Sequence, residues 1–271
     1  MPVIDLAEAV VCVTGGARGI GRATATELVR RGARVWIGDL DEDDVRRTAQ
    51  EIGAQPAHLD VTKEDSVGRF WAAANADGPV QMLVNNAGIM RLGPFLDQDL
   101  DGHHREVAVN LLGVINGMHM FLPDMVARNR GHIVNVASMA AKVTTPGIAV
   151  YCATKFAVAA LSRAVRTEIG HTDVTITTVL PAAVHTELTA GVSLDLQPVL
   201  QPDQVAVAIA DTARRPGHEI TVPRWLAPMG VIEEAAPEAL LNAAKRIVTR
   251  RRPPGHYDAD AREAYLDRIG R

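Results

Sequence analysis

Short apolar runs alternate along the chain with longer segments in which apolar residues recur at helical spacing. The runs predict strands at residues 9–13, 33–37, 55–59, 80–84, 133–136, 174–180 and 219–222. The segments between them predict helices at residues 20–31, 41–52, 63–75, 100–128, 151–169 and 202–213. Strands joined through helices run parallel, and strands buried on both faces have continuous apolar runs. The pattern therefore predicts a doubly wound α/β domain over residues 1–225.

Beyond residue 225 the pattern changes. An apolar stripe at helical spacing precedes a basic run, and its members are Leu240, Leu241, Ala244, Ile247 and Val248. After a Pro-Pro-Gly break, a second short helical pattern ends at Ile269. We predict a helical C-terminal extension over residues 226–271. It docks on a neighbouring subunit or touches an anionic membrane through its basic face, without inserting into it.

The charge of the 271-residue chain is unevenly distributed. Its net charge is −4. From Arg214 onward there are 11 Lys/Arg and 8 Asp/Glu, a net charge of +3, whereas the preceding part carries 17 and 24, a net charge of −7. This acidic main body argues against nucleic acid as the principal partner.

The remaining composition favours a cytoplasmic protein. No apolar run approaches the roughly 18 residues that span a bilayer, and the N-terminus lacks a secretory pattern. Cys12 and Cys152 lack CxxC spacing and are predicted to be thiols in a reducing compartment. His103 and His104 lack metal-ligand spacing, so no metal is expected.

A glycine-rich turn follows the first predicted strand and opens the first helix. It runs from Thr14 to Gly21 with the order Thr-Gly-Gly-Ala-Arg-Gly-Ile-Gly. Glycines allow the backbone to approach a pyrophosphate closely, and the helix N-terminus offers free N–H groups. A glycine cluster alone is weak evidence because such clusters are common in turns. The strand, turn and helix together, with Asp39 ending the second strand, predict a dinucleotide site.

Tyr151 and Lys155 are four residues apart, so both side chains lie on one face of a helix. Oxidation of an alcohol requires a group that accepts the hydroxyl proton, and tyrosine, with an ordinary pKa of about 10, is a weak base. We expect the ammonium of Lys155 to lower the pKa of Tyr151. Ser138, at the end of the fifth strand, can donate to the substrate oxygen. Each of these residues alone has an ordinary structural interpretation, as a solvated pair or a local hydrogen bond.

These motifs occur in an order that resembles the short-chain dehydrogenase/reductase family. The matching features are the Gly-x-x-x-Gly-x-Gly turn, the Leu-Asp-Val at residues 59–61, the Asn-Asn-Ala-Gly at residues 85–88 and the Tyr-x-x-x-Lys pair. The resemblance covers about residues 8–225 and implies a Rossmann fold with NAD(P)-dependent oxidoreductase activity. It implies dimers or tetramers that assemble through the long helices at residues 100–128 and 151–169.

The resemblance also implies individual roles. The catalytic residues would be Asn110, Ser138, Tyr151 and Lys155, with Asn110 positioning a water and Lys155 holding the nicotinamide ribose. The cofactor-binding residues would be Gly15, Ala17, Arg18, Gly19, Ile20, Gly21, Asp39, Leu40, Asp60, Val61, Asn86, Ala87, Gly88, Tyr151, Lys155, Pro181, Val184 and Thr186. One position departs from the family pattern, since Ala182 replaces a glycine. A positive φ there would strain the alanine by roughly 1 kcal/mol, whereas a negative φ would make the replacement harmless.

Two residues favour different cofactors. A carboxylate at Asp39 accepts a hydrogen bond from the adenosine ribose and repels a 2′-phosphate, whereas Arg18 could attract that phosphate. The Asp39 carboxylate lies at a rigid strand end, whereas the Arg18 side chain is flexible and can swing away. We therefore predict NAD as the cofactor, rather than NADP.

The segment at about residues 185–201 is expected to form the substrate loop. Its apolar residues are Leu188, Val192, Leu194, Leu196, Val199 and Leu200, and those expected to face them are Met90, Leu92, Met139, Val143 and Ile148. Core packing would explain the same residues. Together they favour a lipophilic secondary alcohol or ketone as substrate. His185 lies inside the loop and could line the substrate site, but a solvent-facing or packing role is expected for it.

Two other functions remain open. The same fold could belong to a catalytically inactive protein that binds a nucleotide or a partner. Retention of Asn110, Ser138, Tyr151 and Lys155 together argues against that reading. An epimerase or dehydratase is a third possibility, which the glycine spacing and the absence of a second substrate domain disfavour.

Overall fold

A computed structural model describes residues 4–192, 199–237 and 258–270. Its centre is a seven-stranded sheet in which every neighbouring pair of strands is parallel. In chain order the strands are β1 (Val10–Thr14), β2 (Arg34–Asp39), β3 (Gln55–His58), β4 (Val80–Asn85), β5 (His132–Val136), β6 (Thr175–Pro181) and β9 (Glu219–Val222). Their spatial order is β3-β2-β1-β4-β5-β6-β9. This is the predicted doubly wound Rossmann architecture, and each predicted strand lies within two residues of its observed position.

Helices cover both faces of the sheet. They are α1 (Gly19–Arg30), α2 (Glu42–Ile52), α3 (Glu64–Ala76), α4 (Leu100–Val107), α5 (Gly113–Ala127), α6 (Ala149–Glu168), α7 (Pro202–Thr212), α8 (Pro228–Ala235) and α9 (Ala259–Ile269). Alternate residues of each strand enter different cores because side chains alternate across a strand. Val11 and Val13 pack with α1 and α7, whereas Val10 and Cys12 pack with α3 and α5. None of the described helices is both long and apolar enough to cross a bilayer.

The chain differs from the predicted pattern in two places. The single helix predicted at residues 100–128 is divided by a π-helical turn, Ala108–Leu112, between α4 and α5. In the predicted substrate loop, β7 (Ala183–Val184) pairs with β8 (Val199–Leu200). Periodicity misses both features, because a π-turn adds only one residue to a helical turn and β7 and β8 are two residues long.

The backbone at Ala182 is unstrained. The described non-glycine residues with positive φ are Glu8 and Asn129, so Ala182 lies in the ordinary region of the backbone map. Its N–H donates to the Val222 carbonyl at 2.8 Å. The glycine-to-alanine replacement is therefore harmless to the backbone.

The C-terminal extension is helical in part. Helix α9 ends at Ile269 as predicted and packs on its own chain. The predicted apolar stripe at residues 240–248 lies outside the described residues. The domain boundary near residue 225 stays a prediction.

Candidate active site

A cavity of about 990 Å³ opens along the carboxyl ends of the strands. The glycine-rich turn lines one end of it, Tyr151 lies in its wall, and helix α9 contributes to the other end. The sheet register explains how distant segments meet here. Thr14 pairs with Gly38 and Val84 lies beside Val13, so the loops that follow β1, β2 and β4 leave the sheet side by side.

The glycine turn has the shape of a phosphate cradle. Gly15 has a φ of +63°, and a Cβ atom there would lie 2.8 Å from the Ala87 Cα. A Cβ atom at Gly21 would lie 2.0 Å from the Gly15 carbonyl oxygen. The first turn of α1 has no acidic residue and no side-chain cap, which leaves its N–H groups for an anion. The turn therefore fits the pyrophosphate of a dinucleotide.

Polar side chains hold this turn against the end of β4. The hydroxyl of Thr14 accepts hydrogen bonds from the N–H groups of Asn86 and Ala87, at 3.0 and 3.1 Å. The side-chain amide of Asn86 donates to the carbonyls of Thr14 and Gly15, both at 3.0 Å. The side chain of Asn86 is thus engaged with the turn itself.

The end of the cavity that is predicted to hold the adenosine is acidic. The Asp39 carboxylate accepts a hydrogen bond from the Ala17 N–H at 3.1 Å and stays partly exposed. The guanidinium of Arg18 is paired with Asp41 at 2.8 Å and also contacts Asp44. The Asp60 carboxylate accepts from the N–H and hydroxyl of Thr62 at 2.9 and 2.7 Å.

The predicted catalytic side chains converge in the middle of the cavity. Tyr151 and Lys155 share one face of α6, with the Lys155 Nζ 5.5 Å from the centre of the phenol ring. The Lys155 ammonium donates to the Val136 carbonyl at 3.0 Å. Ser138, at the end of β5, lines the cavity beside Tyr151. Both Tyr151 and Lys155 are buried, so their charges act in a low dielectric.

The pKa values correct one expectation. Burial raises the pKa of Tyr151 above its usual range, and the neighbouring Ser138 side chain only partly opposes this. Burial also lowers the pKa of Lys155 to about 8, against the opposing effect of Glu106. The expected lowering of the Tyr151 pKa by Lys155 was therefore wrong, because desolvation dominates the pKa of this buried phenol.

Asn110 lies in the π-helical turn and is fully buried. Its side-chain oxygen accepts the Ile89 N–H, and its amide donates to the Ile89 carbonyl, both at 2.8 Å. The amide also donates to the Thr154 hydroxyl at 3.3 Å. Asn110 thus ties the π-turn to the loop after β4, and its role in positioning a water stays a prediction.

Most of the predicted site residues surround the cavity. Those that line it are Gly15, Arg18, Gly19, Ile20, Asp39, Leu40, Asp60, Val61, Asn86, Ala87, Gly88, Ser138, Tyr151, Lys155, Pro181, Val184 and Thr186. Ala17, Gly21 and Asn110 lie behind the wall, and each supports a residue that lines it.

The substrate end is largely apolar. Its lining includes all five residues expected to face the loop and two residues of the loop itself: Met90, Leu92, Met139, Val143, Ile148, Leu188 and Val192. Leu200 instead packs in the main core, Val199 is exposed, and His185 is exposed. The pairing of β7 with β8 turns Leu200 away from the cavity. Leu194 and Leu196 lie outside the described residues.

Several site residues were not anticipated from the sequence. Glu106 is buried near Tyr151 and Lys155, and burial raises its pKa to about 7. It accepts the Arg91 N–H at 3.1 Å. Glu106 precedes Asn110 by four residues, which places both on one helix face, and this spacing could have indicated from the sequence that Glu106 lies near the site. Arg105, Tyr265, Arg268 and Ile269 also line the cavity, and the pattern of the tail carried no sign of this.

The sequence model that describes the short chain dehydrogenase family matches residues 9–197. The chain belongs to this family. It is 40% identical over 190 residues to "Probable oxidoreductase EphD" of Mycobacterium tuberculosis, an alignment that covers 68% of the chain and 32% of EphD. The chain thus spans about a third of the length of that relative.

Two further similar proteins are matched over more of their own length. A 2,5-dichloro-2,5-cyclohexadiene-1,4-diol dehydrogenase, LinX of Sphingobium indicum, is 36% identical over 70% of the chain and 79% of LinX. A 3-ketoacyl-(acyl-carrier-protein) reductase of Brucella melitensis, solved in complex with NADH, has a TM-score of 0.73 at 28% identity. That match covers 81% of the chain and 99% of the reductase.

Proposed function

We propose that the protein is an NAD-dependent oxidoreductase that interconverts a lipophilic secondary alcohol and its ketone, with Tyr151 as the general acid and base. The observation that carries the proposal is the position of Tyr151. Its phenol lies in the wall of the cavity whose far end is the glycine cradle, and the Ser138 side chain lies beside it. LinX, named as a diol dehydrogenase, supports the same reaction class.

NAD would be held by residues that the geometry suits to it. The turn from Gly15 to Gly21 would take the pyrophosphate, Asp39 the adenosine ribose and Lys155 the nicotinamide ribose. The cofactor supplies the hydride acceptor or donor. All other steps belong to side chains of this chain.

Tyr151 handles the proton. In ketone reduction its protonated hydroxyl donates to the developing alkoxide, and in alcohol oxidation its phenolate accepts the hydroxyl proton. The hydroxyl of Ser138 donates to the same substrate oxygen as negative charge grows there. The buried ammonium of Lys155 favours the phenolate that remains after reduction. The raised pKa of Tyr151 keeps it protonated at neutral pH, which favours the reductive direction.

The lipophilic substrate follows from the lining of the cavity beyond Tyr151. We also propose a homodimer or homotetramer in the cytoplasm. Leu112 and Ile115 are exposed near the start of α5, where the family resemblance places subunit contacts. Light scattering checks the assembly, and a monomeric mass would contradict it.

The proposal is tested by following NADH absorbance with a panel of alcohols and ketones, for the wild type and Tyr151→Phe. We expect Tyr151→Phe to lower turnover by roughly a hundredfold or more, while NADH binding measured by fluorescence stays near the wild-type value. The exposed variant His185→Gln serves as the control. Retention of more than about a tenth of the rate by Tyr151→Phe would contradict the acid and base role. A wild type that binds NADH but turns over no compound would favour the inactive binding protein instead.

A further inference from the structure

Helix α9 is fastened over the substrate end of the cavity by a buried arginine. Arg262 is 0% exposed. Its guanidinium donates to the carbonyls of Leu188, Ala190 and Met90, at 2.8, 3.0 and 2.6 Å. Leu188 and Ala190 follow β7, and Met90 follows β4. One side chain of the tail therefore joins the two segments that flank the substrate end.

Helix α9 forms hydrogen bonds with both backbone groups of Met90. Its N–H donates to the Tyr265 hydroxyl at 2.8 Å, and its carbonyl accepts from Arg262. Arg262 and Tyr265 are three residues apart, and the Arg262 guanidinium lies 4.4 Å from the centre of the Tyr265 ring. Ile269 follows Tyr265 by one helical turn, so these three residues share one face of α9.

This packing is specific because burying a charge is costly unless it is paired and hydrogen-bonded. An arginine that adhered to a surface in many orientations would keep its guanidinium in water. Three carbonyl partners instead define one position for the helix. The backbone adds to it, since the Asp258 N–H donates to the Gly191 carbonyl at 3.0 Å.

The helix presents two apolar groups to the cavity. Tyr265 and Ile269 line it together with Met90, Ile148 and Leu188. Tyr265 is only 5% exposed. Removing either side chain would enlarge the substrate end without touching the glycine cradle at the other end.

Arg105 and Arg268, the two arginines near Tyr265 and Ile269, both have partners within the protein. Arg105 donates to the Ile269 carbonyl at 2.7 Å and contacts the Gly270 carbonyl. Arg268 forms an ion pair with Glu187. Glu187 therefore neutralises Arg268, whereas Arg105 keeps its charge and directs its donors to the C-terminal end of α9, where a helix favours a cation.

We propose that helix α9 completes the substrate chamber, that Tyr265 and Ile269 limit the size of the group beside the reacting carbon, and that this group is apolar. The inference rests on the proposed oxidoreductase function. It replaces the expectation that the end of the tail docks on another subunit. It also means that deleting the tail would alter chemistry as well as stability.

The test uses cyclohexanones with 4-alkyl chains of increasing length, from methyl to octyl, reduced with NADH. The size preference is the ratio of kcat/KM for the octyl ketone to that for the methyl ketone. We expect Tyr265→Ala to raise this ratio roughly tenfold or more, and Ile269→Ala to raise it about threefold. Ala264→Ser, an exposed change on the same helix, should leave it unchanged. The Kd for NADH should stay near the wild-type value in all three variants.

An unchanged ratio in both Tyr265→Ala and Ile269→Ala would overturn the proposal. Ile269→Ala retains the Arg262 and Tyr265 anchors, so it decides the matter if Tyr265→Ala does not fold. A 4-carboxy ketone should react roughly tenfold more slowly than the 4-methyl ketone, and the opposite order would overturn the claim of an apolar chamber.

The outcome is separable from that of the proposed function. If the wild type reduces none of the ketones, the proposed function fails. Calorimetric Kd values for the same ketones in the presence of NADH then test whether α9 limits the size of the bound group. A shift of the binding ratio toward the octyl ketone in Tyr265→Ala or Ile269→Ala supports it, and equal ratios in all the proteins overturn it.

Discussion

The guanidinium of Arg18 lies 2.8 Å from the carboxylate of Asp41, at the adenosine end of the cavity. Asp44 contacts the same guanidinium, and Asp39 lies beside it in the wall. Arg18, the basic residue predicted to attract a 2′-phosphate, is therefore neutralised by its own surroundings. A phosphate would have to displace these carboxylates and also approach Asp39.

We predict a preference for NAD over NADP of roughly tenfold or more in kcat/KM, because like charges brought together cost several kcal/mol. Asp39→Ala should relax the preference, and Asp39→Ala with Asp41→Asn should relax it further by releasing Arg18. Kinetics with both cofactors measure this, and Asp43→Asn is an exposed control on the same turn. A wild type that prefers NADP would show that Arg18 governs the choice.

The protonation of Tyr151 predicts opposite pH profiles for the two reaction directions. Burial raises its pKa, so the phenol is protonated at neutral pH. Ketone reduction needs that proton and should proceed at neutral pH, whereas alcohol oxidation needs the phenolate and should increase as the pH rises. Initial rates in both directions from pH 6 to pH 10 check this. An oxidation rate that falls with rising pH would contradict the assignment.

Glu106 should destabilise the protein as the pH rises. Its pKa is about 7 when folded, because of burial, against about 4.3 unfolded. Between these values the unfolded chain is ionised and the folded carboxyl is not, so stability is lost as the pH increases, by about 4 kcal/mol in total. Glu106→Gln should remove this loss and be more stable than the wild type at pH 8. Denaturant unfolding at pH 5 and pH 8 measures it, with the exposed Glu168→Gln as control. Equal pH dependence in Glu106→Gln and wild type would contradict the buried, protonated carboxyl.

His132 should have the opposite effect on acidification. It is buried between Thr175 and Thr212, with ring nitrogens 2.8 Å from both hydroxyls, and burial lowers its pKa to about 4. From about pH 6.5 down to pH 4 the unfolded chain takes up a proton that the folded chain refuses, which removes about 3 kcal/mol of stability. His132→Gln should lack this contribution to the pH dependence of stability, and the exposed His171→Gln should retain it. Unfolding curves from pH 7 to pH 4 give the comparison, and an unaltered acid slope in His132→Gln would show that this ring is not responsible.

The slopes from Glu106 and His132 oppose each other over much of the same pH range. The wild-type stability should therefore vary little there, and each variant should expose the effect of the residue that remains.

The sequence by itself determined the architecture and most of the cavity wall. Continuous apolar runs at regular spacing define buried parallel strands, and a parallel sheet brings its carboxyl ends to one edge. The glycine turn and the Tyr151–Lys155 pair are local motifs, so their geometry follows from a single turn or a single helix. Nearly all the residues assigned from them line the cavity for that reason.

The tertiary structure decided what depends on partners far along the chain. The desolvation of Tyr151 and Glu106 comes from elements that pack around them, and it reversed the expected direction of the Tyr151 pKa. The pairing of the Arg18 guanidinium depends on where α2 places Asp44. The position of helix α9 depends on three carbonyls that are more than 70 residues from Arg262 in the sequence. Pattern and spacing report local periodicity, whereas burial and charge pairing are properties of the folded neighbourhood.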